Sequence, residues 1–261
     1  MPDGDRIAKL MARAGAGSRR EVERMIAEGR VALNGRTLDS PALNLPSLRG
    51  VTLDGNPLEK KQETALWVFH KPTGCLTAAS DPKGRKTVFD LLPSGTPRLM
   101  PVGRLDYNTE GLLLFTNDGE LKRALELPVN EVERRYRVRV HGQITQDRLE
   151  RLSEGVTIEG IRYRPMEANL DRKSGTNSWV SIAITEGKNR EVRRVLEWCG
   201  VQVTRLIRTG FGPFDLEDLP VGQLVRLNSQ AIYAAREAIG GTLKRRGGQK
   251  TKRQGWTPHE A

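Results

Sequence analysis

The chain is poor in the residues that carry redox, metal and membrane chemistry. Cysteine occurs only at Cys75 and Cys199, and histidine only at His70, His141 and His259. The cysteines are too few for a disulfide framework, and neither residue type shows metal-ligand spacing, so structural zinc and structural disulfides are excluded. No run of 18 apolar residues is present, which excludes a spanning helix. The opening Met1-Pro2-Asp3-Gly4-Asp5-Arg6 lacks the apolar core of a secretory leader, so a cytoplasmic protein with no membrane partner is expected. There is no phosphate-cradling Walker loop. Gly15-Ala16-Gly17 lies between two helical patterns rather than after a strand, which makes it a poor dinucleotide fingerprint. No cofactor and no metal are therefore expected.

Positive charge is what the chain has in excess. Lysine and arginine number 43 against 32 acidic residues, a formal net charge of +11, and a polyanionic partner follows from that imbalance. Hydrophobic residues make up 37% of 261, enough for a core but below the usual share. This length permits one large domain or two.

Residues 1–60 read as a small RNA-binding module. Ile7, Leu10, Met11 and Ala14 fall at helical spacing, and Gly15 and Gly17 break the pattern. Ser18 and Glu21 form a capping box at the head of a second helix that buries Val22 and Ile26 and stops at Gly29. Arg30–Leu33 reads as a strand, Asn34-Gly35 as a hairpin turn, and Val51–Leu53 as a returning strand. Arg6, Lys9, Arg13, Arg19, Arg20 and Arg24 are its candidate phosphate contacts. The polar stretch Asn56–Glu63 reads as a linker.

Residues 61–240 alternate strand-like and helix-like runs. Strands are expected at Ala65–His70, Arg98–Val102, Gly111–Thr116, Tyr136–His141 and Trp179–Thr185. Helices are expected at Thr87–Leu92, Asp118–Leu127, Thr145–Glu154 and Asn189–Cys199. The mixture implies an α+β fold with a mixed, mainly antiparallel sheet. On the strand at Tyr136, Val138 and Val140 share the tyrosine's face, while Arg135, Arg137 and Arg139 take the other. On the last helix Val192, Val195, Leu196 and Cys199 form the apolar stripe, with Arg190, Arg193 and Arg194 off it. Residues 241–261 are cationic, Gly-rich and nearly free of apolar side chains, and are expected to be disordered when free.

The densest segment is Gly103-Arg104-Leu105-Asp106, followed by the polar turn Asn108-Thr109-Glu110-Gly111 and a buried-strand run to Thr116. Taken alone, Asp106 fits a surface aspartate paired with Arg104, or one bonding its own turn, at least as well as a catalytic acid. The segment closely resembles the catalytic motif of the RsuA/RluB family of ribosomal RNA pseudouridine synthases. Four further stretches resemble that family in its own order. They are Lys71-Pro72-Thr73-Gly74 with the Asp81–Arg85 turn, Arg134-Arg135-Tyr136-Arg137-Val138, Glu186–Arg194, and Arg205-Leu206-Ile207-Arg208. The family's tyrosine strand normally opens with lysine, where this chain has arginine. The module at residues 1–60 resembles the S4 RNA-binding domain.

The resemblance implies an isomerase that breaks the N1–C1′ bond of uridine, rotates the base and rejoins it through C5, without cofactor or metal. It implies Asp106 as the essential carboxylate, attacking C1′ or removing a 2′ proton, with Arg193 keeping it ionised. Tyr136 would stack under the base and Leu206 would pack on its other side. Arg104 would contact phosphate or fill the space left by the extruded nucleotide. Lys71, Lys188, Arg190 and Arg194 would contact the RNA. The implied partner is large-subunit rRNA or an assembling particle, met by a monomer during ribosome biogenesis. A small-subunit rRNA enzyme is the near alternative, and a non-catalytic rRNA-binding assembly factor is the alternative from another class.

Overall fold

The computed structural model describes residues 4–58 and 62–245, with side chains to Gly240. It forms two compact units, the first made of residues up to Thr64 with 97–100 and 117–119, the second of the remainder. In the first unit β1 (Asp5–Arg6) leads into α1 (Ile7–Arg13) and α2 (Arg19–Ala27). The strands β2 (Val31–Leu33), β3 (Arg36–Thr37), β4 (Asn44–Leu45), β5 (Val51–Leu53) and β6 (Asn56–Pro57) follow. The Ser18 hydroxyl accepts the Glu21 amide at 3.1 Å and the Glu21 carboxylate reaches back to the Ser18 amide, so the capping box forms. Asn34 and Gly35 both take positive φ, +50° and +80°, which is what a tight hairpin turn between β2 and β3 requires. Ile7, Ala8, Met11, Val22, Ile26, Val31 and Val51 close the core.

The expected linker is shorter than its composition implied, because Asn56–Pro57 pairs with β5 as an edge strand. Proline tolerates that edge position since its missing amide would face solvent there. Residues 59–61 of that stretch lie outside the described residues.

The chain continues with β7 (Leu66–Lys71), β8 (Met100–Val102), β9 (Glu110–Thr116), α3 (Gly119–Glu126), β10 (Arg134–His141) and α4 (Gln146–Glu150). Then come β11 (Val156–Ile158), β12 (Ile161–Tyr163), β13 (Glu167–Ser174), β14 (Asn177–Ile184), α5 (Glu191–Trp198) and β15 (Gln202–Phe211). It ends in β16 (Phe214–Asp215), β17 (Leu224–Arg226) and α6 (Ser229–Arg245). The main sheet runs β13-β14-β10-β15-β9-β7-β17, with β16 on β15 and β8 on β9. Every pairing along that order is antiparallel except β15 with β9, which run parallel over two residue pairs only. The sheet is thus mixed and mainly antiparallel, in two halves joined at a short parallel seam.

Each half has its own core. Val138, Val140, Val180 and Ile182 pack under Leu149 of α4 and Val192, Val195 and Leu196 of α5. Leu66, Val68, Leu112 and Leu114 pack under Leu121 and Leu125 of α3 and Ala231 and Ala235 of α6. Among the described residues no helix is long and apolar enough to cross a membrane.

Two expected helices are reduced. Thr87–Leu92 holds only the 3-10 turn Phe89–Leu91, and Thr145–Glu154 divides into α4 and the 3-10 turn Arg151–Glu154. The boundary of the basic tail moves as well. Its first residues, 241–245, continue α6, because glycine costs a helix only about 1 kcal/mol and does not force it to stop. The rest of the expected tail lies outside the described residues.

Candidate active site

A cleft of about 750 Å³ opens beside the parallel seam, with lining residues from both halves of the sheet. Arg104, Leu105, Asp106 and Thr109 come from the loop before β9. Tyr136 comes from β10, the stretch from Ile184 to Arg193 from the loop into α5, and Leu206, Arg208 and Phe211 from β15. All four residues to which the resemblance gives a part in catalysis, Asp106, Tyr136, Arg193 and Leu206, therefore line one cavity.

The loop carrying Asp106 is held through its backbone. Lys71 is fully buried, and its ammonium donates to the carbonyls of Pro72 at 3.0 Å, Asp106 at 3.1 Å and Thr109 at 2.9 Å. Those are all three donors an ammonium has. Burial pulls the Lys71 pKa down from its ordinary value, and Cys75, Asp106 and Glu110 oppose that shift. Lys71 is therefore not an RNA contact as the resemblance implied, because the side chain has no exposed surface and no donor left for phosphate.

Thr77 clamps the backbone of Leu105 from both sides, accepting its amide at 3.2 Å and donating to its carbonyl at 2.9 Å. The Gly103 amide donates to Glu126 at 2.6 Å, and the Thr109 amide closes the turn on the Asp106 carbonyl at 3.0 Å. The Asp106 carboxylate itself remains more than a third exposed. An acid whose backbone is fixed and whose side chain is open is arranged for contact with something outside the protein.

Two arginines face this carboxylate in different ways. Arg190 is exposed, and its Nη1 lies 3.7 Å from Asp106 Oδ2. Arg193 is buried, donates to the Asn108 carbonyl at 2.9 Å, and so ties α5 to the Asp106 loop. Burial lowers its pKa, Arg190 adds to that, and Asp106 offsets it. The sequence pattern placed Arg193 on the solvated side of its helix. It points inward instead, where the Asn108 and Val203 carbonyls accept from its Nη atoms while Nε makes no hydrogen bond.

Tyr136 is half-buried and sits directly across from Arg208 on the neighbouring strand, while Leu206 pairs with Val138 and is almost wholly buried. Arg208 is fully enclosed. Its Nε donates to the Leu112 carbonyl at 2.7 Å, its guanidinium lies 5.1 Å from the Phe211 ring centre, and Tyr136 is its charge-favouring neighbour against burial. Sequence reasoning missed Arg208 as a lining residue. The available signal was an arginine in phase with Leu206, at strand positions that otherwise point to the core.

The loop into α5 contains a second feature that sequence reasoning missed. Glu186 and Glu191 are both buried and both line the cleft. Glu186 accepts the Arg164 amide and pairs with the Lys188 ammonium, and Glu191 accepts the Lys188 amide at 2.8 Å. Burial, reinforced by Glu186, pushes the Glu191 carboxyl up to about 7. Between its ordinary 4.5 and about 7, the unfolded chain releases this proton and the folded chain keeps it. Glu191 therefore favours folding less as pH rises through that window, and the loss persists above it. Glu191→Gln keeps the neutral shape. The variant is expected to melt at the wild-type temperature at pH 4.5 and several degrees higher at pH 8. A constant difference across that range would mean the carboxyl is ionised throughout.

The remaining candidates separate by exposure. Arg104, Lys188 and Arg190 are exposed at the cleft, whereas Arg194 is half-buried and is not among the lining residues. In the first unit Arg6, Arg19, Arg20 and Arg24 are exposed, and Lys9 pairs with Asp5 at 2.7 Å. Arg13 is a correction. It is half-buried, and its guanidinium donates to Asp118 at 3.0 Å, Thr64 at 2.7 Å and the Asn117 carbonyl at 3.2 Å, so it is engaged inside the unit rather than offered to phosphate. Both cysteines are buried and free, and among the described residues no three potential metal ligands gather.

Comparison with known proteins identifies the family. Residues 65–198 match the RNA pseudouridylate synthase family and residues 5–47 match the S4 domain. An uncharacterised RNA pseudouridine synthase of Rickettsia felis is 40% identical over 87% of this chain and 98% of its own length. The ribosomal large subunit pseudouridine synthase B of Yersinia pestis is 42% identical over 90% of this chain and 76% of its own. A crystal structure of a pseudouridylate synthase superposes with a TM-score of 0.62 at 25% identity, covering 88% of this chain and 99% of that one. The chain belongs to the RNA pseudouridylate synthase family, an isomerase with an S4 domain ahead of its catalytic unit.

Proposed function

We propose that this enzyme isomerises a specific uridine of large-subunit (23S) ribosomal RNA, with Asp106 as its only catalytic carboxylate. The observation that carries the reading is the state of Asp106. Its loop is fixed by Lys71 and Thr77, and its carboxylate stands open in the cleft with Arg190 at 3.7 Å. Either route, attack on C1′ or removal of the 2′ proton, uses the carboxylate as an anion held against the sugar.

An extruded uridine would lie with Tyr136 on one side of its ring and Leu206 on the other, both of which line the cleft. Arg193 acts through position, fixing the turn at Asn108, while Arg190 supplies the nearer charge. Arg104, exposed on the cleft wall, meets the phosphate or fills the gap left in the RNA stack. The S4 arginines 6, 19, 20 and 24 add sequence-independent affinity. The large-subunit reading is supported by relatives named ribosomal large subunit pseudouridine synthase B, such as those of Yersinia pestis and Haemophilus influenzae, each 42% identical. The reading places a monomer in the cytoplasm, acting on rRNA or on an assembling particle.

The test uses unmodified transcripts of large- and small-subunit rRNA incubated with the purified chain. Pseudouridine is expected in the large-subunit transcript and not in the small. Equal yields, or a product only in the small-subunit transcript, would overturn the assignment.

A further inference from the structure

The half of the sheet made by β13, β14, β10 and β15 buries one face under α4 and α5 and leaves the other open. On the open face one row of directly paired residues crosses all four strands. Arg172 of β13 is opposite Trp179 of β14, Trp179 is opposite Arg139 of β10, and Arg139 is opposite Arg205 of β15. Adjacent strands are about 4.8 Å apart, so the row spans about 15 Å. From the same face Arg137 lays its guanidinium over the Trp179 ring, 4.8 Å from the centre. Arg137, Arg139, Arg172 and Arg205 are all exposed, and Trp179 is half-exposed.

Only part of this arrangement is used within the fold, where Arg205 pairs with Glu110 and Arg137 lies on Trp179. Like charges directly opposite each other on neighbouring strands are unfavourable, and Arg139 and Arg205 are such a pair. Most acids on this face are engaged, and exposed Glu167, opposite Ala183, makes no ion pair with the row. Glu110 pairs with Arg205, Asp171 accepts from Ser181, and Glu133 and Asp215 pair with Arg135. Among the described residues no carboxylate lies within ion-pair distance of Arg137, Arg139 or Arg172. His141, in phase with them, adds no negative charge. A flat platform of guanidinium groups around an indole matches nucleic acid in both respects. The cations meet phosphates, and the aromatic ring and the guanidinium planes accept unstacked bases.

We propose that this arginine-tryptophan row is a second RNA-binding surface, which holds a single-stranded segment of the substrate away from the target uridine. The proposal rests on the reading of the chain as an rRNA enzyme, and adds a contact that neither the cleft nor the S4 domain provides. Its sequence signature is Arg137 and Arg139 at alternate positions of one strand, with Trp179 on the next, all facing away from the core.

The experiment measures affinity for a large-subunit rRNA transcript against salt, using the full chain and the variant Arg139→Gln/Arg172→Gln. Both side chains are exposed, so folding should be intact, with an unchanged melting curve as the control. The dissociation constant is expected to rise about tenfold at physiological salt. The slope of log affinity against log salt should flatten by about 1.4 to 2, two contacts' worth. The single-turnover rate at saturating RNA should not change. The charge-conserving Arg139→Lys/Arg172→Lys should recover the slope. Trp179→Thr should weaken binding about tenfold without changing the slope, since it removes stacking and no charge. Wild-type affinity and slope in the Gln variant would overturn the proposal. Binding is read without turnover, so failure to form pseudouridine in rRNA would reject the functional reading separately.

Discussion

Replacing Asp106 with Asn is expected to leave a folded enzyme that binds RNA and forms no detectable pseudouridine. The loop does not depend on the side chain for its shape. Lys71 holds it through the Asp106 and Thr109 carbonyls, and Thr77 holds it through Leu105. The carboxylate's own ion pair, with Arg190 at 3.7 Å, is solvent-exposed on both sides, and such pairs contribute about 1 kcal/mol or less. Melting temperature should therefore move by no more than a few degrees. The chemistry should not survive. Both routes require an anion against the sugar, and the amide is neither a nucleophile for C1′ nor a base for the 2′ proton. Loss of a catalytic group of this kind removes at least about a hundredfold of rate. Single-turnover yield on saturating rRNA is the measurement. A variant above about 1% of the wild-type rate would mean that another group performs the reaction.

Gly111→Ala is expected to have the largest effect on stability of any single methyl addition at the site. Gly111 sits at φ +111°, a conformation open to glycine and strained for other residues. A Cβ there would lie 2.3 Å from the carbonyl oxygen of Arg208 and 2.6 Å from its amide nitrogen. Those are backbone atoms of β15, which cannot rotate aside as a side chain would. Gly111 and Arg208 also form one of the two residue pairs that join β9 to β15. The clash therefore falls on the seam that brings the Asp106 loop beside Tyr136. Strain and overlap together should cost about 3 kcal/mol or more, a fall of roughly 6–12 °C in melting temperature for a unit of this size. Turnover should fall with it even below the melting transition. A melting temperature within 2 °C of wild type would show that the seam can open without cost, contrary to this account.

The elements most open to sequence reading were those governed by local chemistry. Ser18 and Glu21 announce the start of α2, the apolar run after Gly111 announces β9, and alternation from Tyr136 to Val140 assigns the faces of β10. What was hidden depended on partners far along the chain. Lys71 and Arg13 look like any other surface cations in sequence. Their partners are the carbonyls of a loop 35 residues away for Lys71 and Asp118, 105 residues away, for Arg13. The same holds for the parallel pairing of β9 with β15, which no local period encodes. The cations near Asp106 illustrate the limit. The sequence put both Arg190 and Arg193 off the apolar stripe of one helix, and the resemblance gave only Arg193 to the carboxylate. Only the left-handed backbone at Arg190, φ +52°, and the inward turn of Arg193 determine which one faces the carboxylate and which one braces its loop.

The most direct test of the central claim is a pseudouridine map of ribosomal RNA from cells lacking this gene, complemented either by the wild-type chain or by Asp106→Asn. A large-subunit pseudouridine should be lost in the deletion, return with the wild-type chain, and stay absent with Asp106→Asn at equal protein level. A map restored by Asp106→Asn, or unchanged by the deletion, would contradict it.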